Sequence, residues 1–202
     1  MCPLPLEISD QMKALPALSF RVALQSALCL TAAIFTFCQS TNLVPSSKQL
    51  PPQKAMIQPV NLERFMGDWH VIACIPTFIE TEAYNAMENY QLDPDGTIAT
   101  TFTFNKGSFD GPLKTYHPRG FIHDQATRAE WRMQFLWPLK SAYLILKLDD
   151  AYQTTVIGVP NRKYAWIMAR TKILPDATYN ELVRFLQSTG HDVAKLRKVP
   201  QR

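Results

Sequence analysis

The sequence has 202 residues, of which 47% are hydrophobic and 19% charged, a balance typical of one globular domain with its own core. The net charge of +4 comes from 21 basic and 17 acidic residues that are scattered along the chain, so no basic stripe indicates a nucleic-acid surface. The 15 prolines outnumber the 7 glycines, and neither a P-loop nor a G-x-G-x-x-G motif is present. These features argue against the common nucleotide-cofactor enzymes.

The amino-terminal segment, residues 1–40, is predicted to be a signal or anchor and not part of the fold. Residues 22–37 form an uncharged, mostly apolar run that is short for a membrane-spanning helix. Lys13 and Arg21 precede this run and small polar residues follow it, as in a secretory signal. We therefore expect an exported protein, with translation starting at Met1 or Met12.

Cys38 directly follows the apolar run, at the place where a bacterial lipoprotein carries its lipidated cysteine. Phe37 stands where a lipobox has a small residue, and Phe35 where it usually has an aliphatic one. The alternatives are signal-peptidase cleavage after Ser40 and an uncleaved anchor. Lipidation of Cys38 predicts anchoring to the outer membrane, whereas cleavage after Ser40 predicts a periplasmic protein.

The folded domain is expected to span residues 59–202. Residues 41–58 are rich in Pro, Ser and Gln and predict a flexible linker. Of the four cysteines, only Cys74 lies in the domain, while Cys2, Cys29 and Cys38 lie in or beside the signal segment. Cleavage at or beyond Cys38 therefore leaves no partner for an intramolecular disulfide.

The domain shows eight short runs of alternating apolar and polar residues, which predict antiparallel strands over about 69–171. Asp95-Gly96 predicts a tight turn between the second and third runs. Pro118 and Gly120 predict that the fourth run is bent or lies at an edge. The runs are 69–75, 84–92, 97–105, 115–123, 129–135, 141–148, 153–159 and 164–170.

A helix is predicted over about 176–189, where apolar residues recur with the period of an α-helix. Thr178 and Glu181 have the spacing of a capping box at its start, and Gly190 is expected to end it. The tail after the helix is a candidate edge strand. Eight sequential antiparallel strands followed by one helix predict an all-β, up-and-down barrel with the helix packed outside.

Three segments resemble the signatures of the lipocalin family. Residues 65–73, FMGDWHVIA, contain the G-x-W of the first signature as Gly67 and Trp69. Residues 148–158 and 167–172 resemble the second and third signatures, the third including Arg170. The resemblance covers about residues 58–202 and is greatest to the bacterial outer-membrane lipocalins of the Blc type, the group nearest apolipoprotein D. His70 departs from the pattern, since Tyr is usual there.

The resemblance implies a structural role for Trp69 and Arg170. In the family, the tryptophan closes one end of the barrel and the arginine packs across its ring, a cation–π contact of about 0.5–2 kcal/mol. The other end is then left open for a ligand. The resemblance implies a lipid ligand (a fatty acid, lysophospholipid or phospholipid) held for transport, storage or envelope maintenance.

Aromatic residues and methionines on the alternating runs are the candidate cavity lining, and such a lining suits an acyl chain. A pigment or haem-like ligand is the alternative, and a homodimer is possible within the family. We expect no cofactor, metal site or nucleic-acid partner. The candidate cavity residues are Tyr90, Phe102, Phe104, Trp131, Met133, Phe135, Tyr164, Trp166 and Met168.

Two further groups of residues bear on the chemistry. Asn85, Glu88 and Arg119, together with Tyr90, are candidates to contact a lipid head group near the open end. Cys74 is a candidate nucleophile, but strict alternation from Trp69 places its side chain outside the barrel, and no activating base is evident. The sequence therefore predicts a binding protein and no enzyme.

Overall fold

The computed structural model describes residues 50–202, so the predicted signal or anchor segment, Cys38 and the first half of the predicted linker lie outside the described residues. A short helix, α1 (Leu62–Phe65), precedes the strands, and a longer helix, α2 (Asp176–Ser188), follows the ninth of them. No helix among residues 50–202 is long and apolar enough to cross a membrane. The strands are β1 (Gly67–Ile75), β2 (Ala83–Leu92), β3 (Thr97–Lys106), β4 (Leu113–Tyr116), β5 (Arg119–Ile122), β6 (Glu130–Leu136), β7 (Leu139–Leu148), β8 (Thr154–Gly158), β9 (Ala165–Ala169) and β10 (Arg197–Lys198).

Every strand pairing is antiparallel, and β1 pairs with both β2 and β9, which closes the sheet into a barrel. The predicted fourth run is divided at Pro118 into β4 and β5, which pair with successive parts of β3 and act as one bent strand. Proline supplies no N–H to a strand ladder, which explains the break. The predicted eight-stranded barrel with an outer helix is confirmed.

Alternation along the strands separates an inner from an outer apolar cluster. The inner cluster contains the large aromatic side chains, including Trp69, Tyr90 and Trp131. The outer cluster joins residues of β1, β7, β8 and β9 to Leu182 and Leu186 of α2. The helix is therefore held against the outside of the barrel by its apolar stripe.

The start of α2 differs from the predicted capping box. The N-cap position is Pro175, with φ −55°, and it makes no side-chain capping hydrogen bond. Thr178 lies within the first turn, because the fixed φ of proline already directs the chain into a helix at Asp176. At the other end, Gly190 has φ +86° two residues beyond the last helical residue, as expected for a helix terminator.

The carboxyl-terminal tail forms part of the barrel wall. Its strand β10 pairs with β1 through Arg197 and Lys198. Beyond that strand, the Gln201 side chain donates to the carbonyls of Val71 in β1 and Ala86 in β2, at 2.8 and 3.0 Å. The tail thus fills the gap where β1 and β2 no longer pair with each other.

Candidate functional site

One end of the barrel is closed by Arg170 and the segment around α1. The Arg170 guanidinium lies 3.8 Å from the centre of the Trp69 ring. The same group donates hydrogen bonds of 2.7–3.0 Å to the backbone carbonyls of residues 64–66 and 68. Trp69 itself donates from Nε1 to the Phe65 carbonyl at 2.8 Å. This is the arrangement that the resemblance implies for Trp69 and Arg170.

Gly67, the other residue of the G-x-W motif, has φ +90°, a conformation that side chains with a Cβ rarely adopt. A Cβ built there would lie 3.5 Å from Arg170 Nη1. Glycine therefore suits this position because of its backbone conformation, and Arg170 packs closely against it.

Above the closed end, aromatic rings fill the lower part of the barrel. The Phe65 ring lies 5.0 Å from that of Trp69 and 5.4 Å from that of Trp131, and the Trp131 ring stacks on Tyr143 at 5.2 Å. Seven of the nine candidate cavity residues belong to or pack on this inner cluster. They are Tyr90, Phe102, Phe104, Trp131, Met133, Trp166 and Met168.

The other two candidates, Phe135 and Tyr164, do not join this cluster. Phe135 is 53% exposed near the β6–β7 turn, where a register irregularity between Met133 and Leu136 interrupts the regular alternation. Tyr164 precedes β9 and lines an outer depression together with Pro51 and Arg197. The assumption of unbroken alternation fails for both residues because each lies at or beyond the end of regular pairing.

The inner cluster encloses a polar group formed by Glu88, Tyr90 and Tyr143. Glu88 lies opposite Trp69 in the β1–β2 pairing and opposite Phe102 in the β2–β3 pairing, so it shares their inward face. Its carboxylate accepts a hydrogen bond from the Tyr90 hydroxyl, and the Tyr90 and Tyr143 hydroxyl oxygens are 2.6 Å apart. Burial raises the pKa of the Glu88 carboxyl to about 7.

This position corrects the expectation that Glu88 and Tyr90 lie near the open end. Both lie on the half of β2 that pairs with Gly67 and Trp69, next to the closed end. Tyr143 and Thr100 were not predicted as site residues. Tyr143 shares the inward face of its run with Ile145, and Thr100 shares that of its run with Phe102, so alternation along the predicted runs could have identified both.

Asn85 and Arg119 do not join Glu88. Asn85 accepts a hydrogen bond from the backbone N–H of Arg202, and so holds the carboxyl-terminal tail. Arg119 is exposed and pairs with Asp93 and Asp95 at the β2–β3 turn, which lies at the closed end. These two side chains therefore have structural partners on the surface.

The structure also corrects the orientation of Cys74. A β-bulge between Val71 and Ala73 shifts the register of β1, so Ala73 packs outside the barrel and Cys74 packs inside it. Burial, with a contribution from the nearby Glu80 carboxylate, raises the pKa of the Cys74 thiol to about 12. The thiol is therefore protonated at neutral pH, and protonated thiols are poor nucleophiles.

Slow modification of Cys74 is a direct expectation from this burial. In a chain of residues 41–202, where Cys74 is the single cysteine, the reaction with Ellman's reagent at pH 8 should be at least roughly 100-fold slower in the native than in the urea-unfolded protein. Equal rates would show that the thiol is accessible and would contradict the inward orientation.

The open end of the barrel carries large apolar side chains that face solvent. Trp137 is 81% exposed at the β6–β7 turn, beside the exposed Leu136 and Leu139. Phe78, in the loop after β1, and Leu113, at the start of β4, are also exposed and extend this surface. We call these residues, with Phe135, the apolar rim.

The lipocalin-like domain model matches residues 60–201. The chain belongs to the lipocalin family. This lipocalin is 32% identical to temperature-induced lipocalin-1 of Arabidopsis thaliana, over 72% of this chain and 82% of the relative. It is 26% identical to the outer membrane lipoprotein Blc of Escherichia coli K12, over 79% of this chain and 90% of the relative. It is 27% identical to apolipoprotein D of Macaca fascicularis, over 75% of this chain and 80% of the relative.

Solved lipocalin structures share the same fold. Lobster apocrustacyanin A1 superposes on this lipocalin with a TM-score of 0.59 and 15% identity, over 76% of this chain and 91% of the other. At that identity, the similarity supports the architecture of this lipocalin and carries no information on its ligand. Lipocalins as a family bind small hydrophobic molecules, which agrees with a closed barrel lined by aromatic side chains.

Proposed function

We propose that this lipocalin binds the acyl chain of a fatty acid, lysophospholipid or phospholipid inside its barrel and serves in lipid transport, storage or envelope maintenance. The observation that carries the proposal is the inner cluster, in which aromatic and methionine side chains from β1, β2, β3, β6 and β9 face a common interior. Burial of an acyl chain against such a lining is favourable by roughly 25 cal/mol per Å² before ordering costs.

The relatives support a lipid ligand by name alone. One is an outer membrane lipoprotein and another an apolipoprotein. The proposal is one of binding without a catalytic step, in keeping with the raised pKa of Cys74.

The proposal is tested by native mass spectrometry of the protein purified from bacterial cells, followed by organic extraction of whatever co-purifies. A stoichiometric fatty acid or lysophospholipid is the expected result, and the same spectrum measures whether the protein is a homodimer. A coloured cyclic ligand would replace the lipid proposal with a pigment carrier. A bare protein that takes up no fluorescent fatty acid would contradict it.

The apolar rim is proposed to contact a lipid surface while the ligand is transferred. Its exposed apolar residues come from three separate segments around the open end, and Lys114, next to Leu113, is exposed beside it. Apolar side chains with a neighbouring cation suit an anionic membrane surface.

Replacing Leu136 and Trp137 together with serine should weaken binding to vesicles of phosphatidylglycerol and phosphatidylcholine by about tenfold or more. The free energy of unfolding should change by no more than about 0.5 kcal/mol, because both side chains are exposed. Co-sedimentation with vesicles measures the first effect and urea denaturation the second. A matched variant, Ile57→Ser, removes an exposed apolar residue away from the rim and should bind vesicles like the wild type.

Export and lipidation are proposed from the sequence, with Cys38 as the anchor, and the relationship to an outer membrane lipoprotein supports them. Cell fractionation of the wild type and Cys38→Ser tests this step. Movement of the protein from the membrane to the soluble periplasmic fraction in the variant is expected. An unchanged distribution would favour cleavage after Ser40 or an uncleaved anchor.

A further inference from the structure

We infer that the barrel accepts a hydrophobic ligand that bears a protonated amine, with the ammonium group paired to the Glu88 carboxylate and the apolar part among the surrounding aromatic rings. This inference rests on the proposed function, since it requires a hydrophobic ligand in the barrel. It specifies the polar group of that ligand, which is a protonated amine.

The first support is the direction of the hydrogen bonds around Glu88. The Tyr90 hydroxyl donates to Oε2 of Glu88, which leaves the Tyr143 hydroxyl, 2.6 Å from that of Tyr90, to donate to Tyr90. Both phenolic protons are thus directed toward the carboxylate, an arrangement that stabilises negative charge there. Among the described residues, Oε1 of Glu88 has no hydrogen-bond partner.

The second support is unused capacity for hydrogen bonds on the inward faces of β2 and β3. Glu88 lies on the inward face of β2 and is half-buried, so its side chain keeps some accessible surface. Thr100 lies opposite Tyr90 in the β2–β3 pairing and is 3% exposed. Its hydroxyl oxygen has no partner within residues 50–202. Glu88 and Thr100 are thus two positions apart in the β2–β3 register, and each keeps an oxygen without a hydrogen-bond partner among the described residues.

The third support is the sign of the charges in the interior. The buried polar side chains of residues 50–202 are Glu80, Thr100, Thr155 and His191, and of these His191 follows α2, outside the barrel. The described part of the interior thus offers carboxylates and no buried basic side chain. A ligand carboxylate or phosphate placed there would meet like charge, whereas an ammonium group supplies both the missing charge and three donors.

The titration of Glu88 is consistent with a missing cation. Burial raises its pKa to about 7, although the hydrogen bond from Tyr90 opposes the shift. The other titratable groups that face the interior near it are Tyr90 on β2, Tyr143 on β7, Cys74 on β1 and Glu80 after β1. Two cations lie next to this set: Arg170 is close to Tyr90 but is held by the carbonyls of residues 64–66 and 68, and Arg197 is close to Cys74. Among residues 50–202, neither arginine pairs with Glu88. An ammonium partner binds the ionised carboxylate, so amine affinity should be about tenfold weaker at pH 6 than at pH 8.

The test compares decylamine, decanol and decanoic acid as competitors of the neutral fluorophore Nile red on the full-length protein at pH 8. The wild type should bind decylamine about 30-fold or more tightly than decanoic acid. Glu88→Gln should lose this preference and its pH dependence, while its affinity for decanol changes less than about twofold. Glu82→Gln makes the same change at an exposed carboxylate and should match the wild type.

The outcomes separate this inference from the proposed function. Equal affinity for the three ligands in the wild type would overturn the inference and leave hydrophobic binding supported. An amine preference that survives in Glu88→Gln would overturn the role of Glu88. Failure of every ligand to compete, with no uptake of Nile red, would overturn both.

Discussion

Replacing Arg170 with alanine is expected to lower the free energy of unfolding by about 3–5 kcal/mol. The substitution removes the cation–π contact with Trp69 and leaves the carbonyls of Arg64, Met66 and Asp68 without the guanidinium donor, while the Phe65 carbonyl keeps Trp69 Nε1. The Met66 carbonyl is part-buried, so its lost hydrogen bond carries a desolvation penalty in addition to the lost contact. The shift in the urea midpoint at constant slope measures the effect.

Two variants identify the cause of that loss. Arg170→Lys keeps the charge but lacks the several N–H donors of the planar guanidinium group, so it should recover less than about half of the lost stability. Arg184→Ala removes an exposed arginine from α2 and should change stability by no more than about 0.5 kcal/mol. An Arg170→Ala protein within about 1 kcal/mol of the wild type would show that the closed end does not depend on the guanidinium.

Glu88→Gln is expected to stabilise the protein by about 3 kcal/mol at pH 8 and to have little effect near pH 4. Burial raises the pKa of Glu88 from 4.5 to about 7, so the folded protein keeps a proton that the unfolded chain releases between these values. The stability linked to this proton is fully present below pH 4.5 and is lost as the pH rises to 7. Glutamine cannot ionise and so avoids this loss.

The measurement is the difference in unfolding free energy between Glu88→Gln and the wild type across pH 4 to 8.5. Other groups contribute equally to both proteins and cancel in the difference. Glu82→Gln, at an exposed carboxylate, should give a flat difference curve. A flat curve for Glu88→Gln would show that Glu88 titrates like a solvated carboxyl and does not lie inside the barrel.

The strand and helix bounds follow from local pattern, and the sequence predicts them closely. The fifth predicted run, 129–135, corresponds to β6 (Glu130–Leu136), and the predicted helix over 176–189 corresponds to α2 (Asp176–Ser188). Alternation and helical period are properties of neighbouring residues, so they are readable without knowledge of the tertiary structure.

The orientation of Cys74 is not readable in this way. The bulge in β1 depends on how that strand matches the register of β9, which is about 90 residues further along the chain. Alternation counted from Trp69 is correct up to the bulge and inverted after it. The start of α2 is a milder case, in which Pro175 takes the N-cap position three residues before the predicted cap, Thr178.

The candidate site is predictable in part. Glu88 and Tyr90 are two residues apart on one strand, so their shared face follows from the sequence. Tyr143 is 53 residues from Tyr90, and their contact exists only because the barrel brings β2 and β7 together across its interior. Which end of the barrel is closed depends on α1 and Arg170, and this decides that Glu88 lies deep inside.

The position of the carboxyl-terminal tail sets the order of events during synthesis of the protein. The first strand lacks part of its pairing until Arg197, Lys198 and Gln201 have been synthesised, and Gln201 is 130 residues further along the chain than its partner Val71. Completion of the barrel wall therefore waits for the tail, and folding depends on contacts between distant parts of the chain. Until then, part of the edge of β1 has no partner strand, and unpaired strand edges favour association between chains.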